Sequence, residues 1–480
     1  MTEFSELLNG FVEQKKVKIT PMAQFCGTDR ATTYKYLNGK RLPPSEEVME
    51  KMGEFMRLSP AEMRQLREQY RIARIGGDNY YRRQQVKEFL LSFPKAEERE
   101  EERKMPQIME YVETTNEDCL VIQGEREQNQ VLCQMLLEEA RRENARIGLV
   151  LQPENAFLVD FLIARSEIFS RCRLEHVVCM DNSRKGRKKG TDNLIYLQQI
   201  VSMYMHMLDY HPYYYYDSVE SHFYNGNLFP SMVLTSSKVF LFEPEEARGI
   251  LLGQEEAVAM MKRQFEEHKS QCVPCTTAVM DGFEGYGQLM DLVESTNICS
   301  IQADPCILPL LTPDMADRYV EDEEAKHRIK ALLEAYGELC GHWNPGDKRI
   351  LITREGLEKF METGSSLEIP ASLGICFSQE DRLGILRRMI QEKRLDVIVL
   401  RERYGEISNN VHLCVGKDGG YLLFQDRRRQ QIFVMLKEPG LLELFQDYME
   451  SLDEESFHSP QESRAILEEV LRQYNQRWKL

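Results

Sequence analysis

The spacing of apolar residues predicts a group of short helices over the first 75 or so positions. In the first helix the apolar residues recur at the i, i+3, i+4, i+7 and i+8 positions of one helical face: Phe4, Leu7, Leu8, Phe11 and Val12. Such a face must be buried against neighbouring elements. The pattern therefore predicts an all-α head whose helices share one apolar core.

Residues typical of helix ends divide the next part of the head. Thr20, which is followed by a proline, is expected to cap the second helix, and Gly27 stands where a left-handed residue would end it. Thr28 or Asp29 then caps a third helix, which Asn38-Gly39 closes. The inward face of this third helix is expected to be Leu37 together with Tyr36 or Thr33.

Two further helices complete the head. The segment Pro43 to Glu47 starts a fourth helix, with its inward residues expected at Val48, Met52 and Phe55. Ser59-Pro60-Ala61-Glu62 is a capping box with proline at the first helical position. The fifth helix that it starts is expected to bury Met63, Leu66 and Tyr70.

The segment Ala23-Gln24-Phe25-Cys26-Gly27, followed eleven residues later by Gly39-Lys40, resembles the helix-turn-helix of the Cro/phage-repressor (XRE) family. A small residue such as Ala23 suits the close crossing of the two helices. The chain departs from the family pattern at Thr33, where a branched aliphatic residue is usual. The resemblance covers about residues 3–70 and implies a bacterial DNA-binding transcription regulator.

The resemblance also implies which residues touch DNA. The third helix, Asp29 to Leu37, would enter the major groove, and the positions that read bases fall on Arg30, Ala31, Thr32 and Lys35. The positions that hold phosphates fall on Thr20, Asn38, Lys40 and Arg41. Arginine suits guanine, and the methyl groups of alanine and threonine suit thymine. The alternative is that these are ordinary solvated surface residues.

Charge is distributed unevenly along the chain. The net charge is −17, yet residues 1–76 carry 13 Lys+Arg against 10 Asp+Glu, or +3, which leaves −20 for the rest. Between positions 15 and 41 seven cations face one acidic residue, Asp29: Lys15, Lys16, Lys18, Arg30, Lys35, Lys40 and Arg41. A cationic spot on an acidic protein concentrates its attraction for phosphate at one place.

After the head, at 1–76, we expect a charged helical connector at 77–105. Tyr80 to Phe93 has the pattern of an amphipathic helix, and Lys95 to Lys104 is a dense run of charges typical of a solvated helical face or linker. Beyond it, short apolar runs alternate with helical segments, as at Cys119 to Ile122 and Ile147 to Leu151. This alternation predicts a large α/β body.

An internal comparison suggests that the body repeats itself. Ser231 to His268 and Val411 to Glu450 both contain a strand, a turn, a second strand and then a helix. At an offset of about 180 residues, Phe242 matches Phe424 and Phe265 matches Phe445. We therefore expect two copies of one α/β unit, at 106–280 and 281–455, followed by a C-terminal helix at 456–480.

The body shows no recognisable catalytic motif: no glycine-rich nucleotide loop, no HExxH and no GxSxG. Cys272-Val-Pro-Cys275 has no second pair at zinc-ribbon spacing, so two reduced loop cysteines are favoured over a metal or redox site. His206, His211 and His222 match no ligand spacing. Tyr213 to Tyr216 fits a pocket lining, or an edge or interface strand. The basic segment Arg184 to Lys189 is a solvated loop, or a contact for flanking DNA or a phosphorylated ligand.

The sequence thus predicts a cytoplasmic, sequence-specific DNA-binding transcription regulator, with no enzymatic activity, cofactor or membrane segment. Because one such head has a small footprint, we expect a homodimer on double-stranded operator DNA with an inverted repeat. The size of the body suggests that it senses a small-molecule or protein effector. Two alternatives stay open: a DNA-targeted enzyme of unknown chemistry, and an interaction component of a mobile-element or toxin–antitoxin assembly.

Overall fold

The computed structural model shows a helical N-terminal head and an α/β body with two mixed β-sheets. It describes residues 2–94, 118–152, 156–180, 192–217, 229–243, 247–279, 285–287, 290, 298–453 and 455–478. The expected multidomain α/β organisation is confirmed. The basic segment Arg184 to Lys189, His222 and the charged run Lys95 to Lys104 lie outside the described residues.

The helices are bounded as follows. Those of the N-terminal part are α1 Glu3–Gln14, α2 Ile19–Phe25, α3 Arg30–Leu37, α4 Glu46–Phe55, α5 Pro60–Ile75 and α6 Gly77–Leu91. Those further along the chain are α7 Glu125–Ala140, α8 Ala156–Ala164, α9 Ser166–Phe169, α10 Asp192–Met205, α11 Glu255–Ser270, α12 Pro313–Tyr319, α13 Glu323–Gly341, α14 Arg354–Thr363, α15 Gln379–Gln391, α16 Pro439–Glu450 and α17 Pro460–Arg477.

The strands form two sheets. Those of the first sheet are β1 Cys119–Gln123, β2 Arg146–Val150, β3 Arg173–Met180, β4 Asp209–Tyr216, β5 Ser231–Leu234, β6 Val239–Glu243, β7 Arg248–Leu252 and β8 Val273–Pro274. Those of the second sheet are β9 Thr276–Val279, β10 Ile298–Gln302, β11 Lys348–Ile352, β12 Leu395–Val399, β13 His412–Val415, β14 Gly420–Gln425 and β15 Gln431–Leu436.

The boundary of the head differs from the sequence prediction. The chain forms two compact units that divide between Gln85 and Val86, inside α6. The predicted end at residue 76 is therefore wrong, because the first part of α6 belongs with the head. The later residues Val86, Phe89 and Phe93 are buried in the largest core of the body.

The helices of the head follow from their caps and apolar faces. Ser59 and Glu62 form the predicted capping box at the start of α5, and Asp29, not Thr28, caps α3. One core contains twelve buried side chains from α1 to α5: Phe4, Leu8, Phe11, Met22, Cys26, Tyr36, Leu37, Met49, Met52, Met56, Leu66 and Tyr70. The Tyr70 hydroxyl donates to the backbone oxygen of Pro43 at 2.8 Å. Val48, Phe55 and Met63 were predicted to be buried but are only half-buried.

The two sheets have the same strand order and the same strand directions. The first sheet runs β1-β7-β6-β5-β2-β3-β4, with β8 added at its edge, and the second runs β9-β15-β14-β13-β10-β11-β12. In each sheet three strands are parallel, and the remaining pairs in that series are antiparallel.

The pairing register extends this correspondence between the two sheets to individual residues. One row of paired positions crosses the first sheet through Val121, Ile250, Leu241, Met232, Val150, Val177 and Tyr213. The matching row crosses the second sheet through Ala278, Val434, Leu422, Leu413, Ile301, Leu351 and Ile398.

This register corrects the phenylalanine matches made from the sequence. Phe242 pairs with Ser231, and the equivalent position opposite His412 is Leu423, so Phe242 is not level with Phe424. α11 and α16 each begin three residues after the preceding strand ends, so the two helices can be aligned from their first residues. In that alignment Phe265 and Phe445 are about one helical turn apart. The sequence comparison found related segments but not their alignment.

The second sheet begins earlier than the boundary predicted between the two α/β units at residue 280. β8 pairs with β4 of the first sheet, whereas β9, only two residues later, pairs with β15 of the second. The segment Cys272-Val-Pro-Cys275 therefore lies where the chain passes from one sheet to the other. The second sheet begins before residue 281.

Helices cover the faces of both sheets. On one face of the first sheet, Val177, Met232 and Leu234 pack with Phe265 of α11. The C-terminal helix α17 buries Leu467, Val470 and Tyr474 in a core shared with α14 and α15. Among the described residues, no helix has both the length and the apolar character needed to cross a bilayer.

Candidate nucleic-acid interface

The position of α3 is set by the turn that precedes it. Gly27 adopts the left-handed conformation at φ +67°, as the sequence predicted, and the backbone N–H of Thr28 donates to the oxygen of Ala23 at 2.9 Å. The side chain of Asp29 then accepts from the backbone N–H of Thr32 at 2.7 Å and from its hydroxyl at 2.6 Å. These contacts end α2 and start α3 within four residues.

One face of α3 is fully buried. Thr33, Tyr36 and Leu37 are 1%, 2% and 3% exposed, so all three candidates for the inward face lie inside. The Thr33 hydroxyl lies 3.0 Å from that of Thr28 and donates to the backbone oxygen of Asp29 at 3.1 Å. Threonine therefore replaces an aliphatic residue here without leaving a buried hydroxyl unpaired. The side chain of Asn9 donates to the oxygen of Leu37 at 2.6 Å and ties α1 to α3.

The opposite face of α3 is open. Arg30, Ala31 and Lys35 are exposed, and among the described residues no carboxylate forms an ion pair with Arg30 or Lys35. Thr32 is half-buried and its hydroxyl is occupied by Asp29, so it presents chiefly its methyl group. Three of the four predicted base-reading side chains are thus free to contact another molecule.

Tyr34 is a surface residue that the sequence prediction did not assign. Its ring is 40% exposed, and the guanidinium of Arg30 lies over it at 5.6 Å. The i, i+4 spacing on α3 is the signal that indicates this contact. Stacking of this kind restricts the rotamers of Arg30 before any ligand binds.

The turn after α3 presents the predicted phosphate contacts. Gly39 is left-handed at φ +66°, and the backbone N–H groups of Lys40 and Arg41 donate to the oxygen of Lys35 at 2.9 and 3.2 Å. Asn38, Lys40 and Arg41 are all exposed. The turn therefore places two cations and an amide directly beside the open face of α3.

Thr20 does not have the position that the sequence predicted. α2 begins at Ile19, and its N-cap is Lys18, whose side chain makes no capping hydrogen bond. Thr20 is an exposed residue of the first turn. Its predicted role as a cap is wrong, because the helix starts two residues earlier than the Thr-Pro pair indicated.

One of the seven clustered cations is already engaged. The ammonium of Lys15 lies 2.9 Å from a carboxylate oxygen of Glu62. Hydrogen bonds from the backbone of Ser59 and from Lys15 lower the pKa of Glu62 to about 2. The charge of Lys15 is therefore partly neutralised, whereas the exposed Arg30, Lys35, Lys40 and Arg41 lie together on α3 and the turn after it.

Two of the other motifs singled out in the sequence are neighbours in the body, because β8, within Cys272 to Cys275, pairs with β4 at Tyr213 and Tyr214. Cys272 and Cys275 are free thiols, and burial raises the pKa of both. His206 is buried and its Nδ1 lies 2.8 Å from the backbone oxygen of Ser202, whereas Nε2 of His211 lies 2.8 Å from a carboxylate oxygen of Asp209. Within the described ranges no cluster of His, Cys, Asp and Glu fits a metal ion.

A buried polar group beside the second sheet was not predicted. Glu368 accepts from the backbone N–H groups of Ile307 and Leu308 at 2.7 and 2.9 Å, and its other oxygen lies 3.6 Å from Nδ1 of His412. The Tyr421 hydroxyl lies 3.1 Å from Nε2 of His412. Burial raises the pKa of Glu368 and lowers that of His412 to about 3. The segments involved are far apart in sequence, so no local pattern signals the group.

Comparison with known proteins identifies no family for this chain. No protein-family model matches the chain, and no curated protein matches it. Among solved structures, the archaeal chromatin protein TrmBL2, whose structure shows a mode of DNA binding, aligns at 14% identity and a TM-score of 0.24 over 52% of this chain and 84% of its own.

Two enzymes align equally weakly. The polyphosphate kinase of Porphyromonas gingivalis aligns at 11% identity and a TM-score of 0.23, over 74% of this chain and 56% of its own. The phosphatidylserine synthase of Haemophilus influenzae Rd KW20 aligns at 11% identity and a TM-score of 0.21, over 82% and 97%. All three TM-scores are below 0.5, so no function is transferred from these proteins.

Proposed function

We propose that this chain is a sequence-specific regulator of transcription that binds double-stranded DNA through α3 of its head. The observation that carries the proposal is the two-sided character of α3, named here the recognition helix. Its buried face is fixed to α1 and α2, and its open face presents Arg30, Ala31 and Lys35. A rigid, cationic helix face of this kind suits the width of the major groove.

Each part of the open face has a role in the proposal. Arg30 reads guanine through O6 and N7, Ala31 and the methyl group of Thr32 contact thymine, and Lys35 contacts a base one turn further on. Asn38, Lys40, Arg41 and the exposed Thr20 hold the phosphates and set the register. The proposal assigns no reaction to the body.

The body completes the regulator. Its matching strand orders support an origin as two copies of one α/β unit. Two heads are needed for operator-level affinity, so the proposed form on DNA is a homodimer on an inverted repeat with half-sites about 34 Å apart. The body, far larger than dimerisation requires, is the proposed sensor of an effector and makes the protein a switchable repressor or activator.

The direct test is selection of a binding site from random double-stranded DNA, followed by affinity measurement. The Arg30→Ala/Lys35→Ala double variant should bind the selected site about 100-fold more weakly, because each lost base contact discriminates by about 1–3 kcal/mol. The matched control is Arg64→Ala/Arg263→Ala, which removes two exposed cations from α5 and α11. Equal losses in both double variants would contradict the assignment, and failure to select any site would refute DNA binding.

The phosphate contacts are tested by a different readout. Lys40→Ala/Arg41→Ala should weaken binding to selected and scrambled DNA by the same factor. It should also make the slope of log affinity against log salt shallower by about 2, since each lost phosphate contact changes that slope by about 0.9. A change in sequence preference would instead indicate that these residues read bases.

The dimer is tested by the selected site itself. Two half-sites with centres one DNA turn apart, and a sedimentation mass of two chains per duplex, are expected. A single unrepeated half-site bound by one chain would contradict this part of the proposal while leaving the recognition helix unaffected.

A further inference from the structure

The second half of the body contains an apolar cavity that is open to solvent. Its empty space, which includes open solvent at the mouth, is about 540 Å³, and it lies among the 3-10 turn Leu308–Leu310, helices α12 and α13, and residues 369–377. Small-molecule sites in proteins are commonly concave and lined mainly by apolar and aromatic side chains. Several of its aliphatic side chains, including Leu311, Ile329, Leu332 and Ile369, are only half-buried.

We propose that this cavity is a binding site for a small, uncharged and mainly apolar molecule. All of its lining side chains are aliphatic or aromatic, and none carries a charge. A charged ligand group would lose its hydration there without gaining a partner. An apolar ligand would instead remove the half-buried aliphatic side chains from water, which is the favourable term.

Two polar groups next to the cavity are engaged within the protein. The Tyr319 hydroxyl accepts from the backbone N–H of Ser378 at 2.7 Å and donates to Asp381. The backbone N–H of Leu308 donates to Glu368 at 2.9 Å. The hydroxyl of Tyr286 is the exception, because it is buried and has no hydrogen-bond partner among the described residues. The ligand therefore meets mainly hydrocarbon and ring surfaces, and shape selects it more than hydrogen bonding does.

The walls of the cavity are fixed before a ligand binds. Glu368 and Arg388 hold the 3-10 turn from both sides, with Arg388 Nε donating to the oxygen of Leu310 at 2.8 Å. The segment after α14 is closed by the N–H of Phe377, which donates to Gly364 at 2.9 Å. The ring of Tyr286 packs on Phe433 of β15 at 5.1 Å and links the cavity to the second sheet. A preformed site spends little binding energy on its own ordering.

The test uses two dyes with the same ring system, uncharged N-phenyl-1-naphthylamine and anionic 1-anilinonaphthalene-8-sulfonate, on the full chain. The uncharged dye should bind saturably, one per chain. Ile329→Trp, which fills the cavity, should weaken it at least tenfold. Ala331→Trp, on an exposed position of the same helix, should change it less than twofold. The anionic dye should bind this site at least tenfold more weakly.

Three results would overturn the site: no saturable binding, equal effects of the two tryptophan variants, or equal cavity-dependent binding of both dyes. The melting temperatures of both variants must lie within a few degrees of that of the wild type. If that of Ile329→Trp does not, Leu332→Trp is used in its place.

The proposal that a ligand in this cavity regulates DNA binding rests on the proposed function. Its test is a separate measurement, the affinity for the selected DNA. Saturating uncharged dye should change affinity for the selected DNA at least threefold in the wild type and in Ala331→Trp, and not in Ile329→Trp. Unchanged DNA affinity would overturn the effector role but leave the binding site intact. Absence of any DNA binding would refute the proposed function, again without affecting the dye result.

Discussion

His176 shows how single buried polar residues are accommodated in the body. It is 2% exposed, its Nδ1 lies 2.6 Å from the Tyr210 hydroxyl and its Nε2 lies 3.3 Å from the oxygen of Leu151. Burial lowers its pKa to about 4, so the ring is neutral at physiological pH. A neutral imidazole has one donor and one acceptor, and the hydroxyl and the carbonyl satisfy both.

The stability of the body should therefore fall in acid. The folded pKa of His176, about 4, is below the unfolded value of about 6.5, so its contribution is complete above pH 6.5 and is lost as pH falls toward 4. His176→Phe should reduce the pH dependence of the unfolding free energy by about 1.4 kcal/mol per pH unit in that window.

Urea unfolding followed by tryptophan fluorescence measures this, because both tryptophans, Trp343 and Trp478, lie in the body. Other buried groups contribute to the wild-type curve in both directions. His412, with a pKa of about 3, adds to the acid loss, whereas Asp304, with a pKa raised to about 6 by burial, opposes it. The difference in unfolding free energy between the variant and the wild type isolates the contribution of His176. Identical slopes of that free energy against pH would contradict this prediction.

At the scale of elements, two left-handed glycines determine where the recognition helix begins and ends. A side chain at Gly27 would meet no atom within 4 Å, so packing does not require glycine there. The backbone does, because Gly27 has φ +67°, and Gly39 has the same conformation at φ +66°. Left-handed backbone costs other L-residues about 1–2 kcal/mol.

Gly27→Ala should therefore lower the opening free energy of the head by about 1 kcal/mol, and Gly27→Asn by less, since asparagine tolerates this conformation. Hydrogen exchange of peptides from α2, α3 and α4, read by mass spectrometry, should show this loss as about fivefold faster exchange. The control is Gly10→Ala inside α1, where the same added methyl group also meets open space and should stabilise the helix. Equal effects at positions 10 and 27 would contradict the backbone argument.

At the scale of the whole molecule, one carboxylate joins the two sheets of the body. Glu438 is fully buried and caps α16 by accepting from the N–H groups of Gly440 and Leu441 at 2.8 and 2.7 Å. It also accepts from the hydroxyl of Tyr216 on β4 and lies 3.5 Å from the amide of Asn193 on α10. A residue that follows the second sheet is thus held by elements of the first.

Glu438→Ala should lower the unfolding free energy of the body by about 3 kcal/mol, because it leaves several buried donors unpaired. Tyr216→Phe should cost about 1 kcal/mol, and the double variant should cost less than the sum. Urea unfolding by tryptophan fluorescence measures all three. Glu450→Ala, an exposed position at the other end of α16, should have little effect. Strictly additive losses would show that Tyr216 and Glu438 do not act together.

Most of the helices of the head follow from short-range patterns in the sequence. The apolar periodicity, the Ser59 capping box, Gly27 and Gly39 all act between residues a few positions apart, so their effects are readable along the chain. The same kind of short-range prediction is wrong at Thr20, where a Thr-Pro pair indicates a cap but the helix begins at Ile19. The base-reading positions proposed on α3 came from the family resemblance, and the structure shows that Arg30, Ala31 and Lys35 are exposed.

The arrangement of the body depends instead on long-range contacts. Strand order, register and face depend on pairings between residues tens of positions apart, and a shift of one residue moves a side chain to the other face. That is why Phe242 and Phe424 were aligned wrongly. The cavity, Glu368 with His412, and the junction of the two sheets at Glu438 each combine distant segments, so no local sequence pattern encodes them.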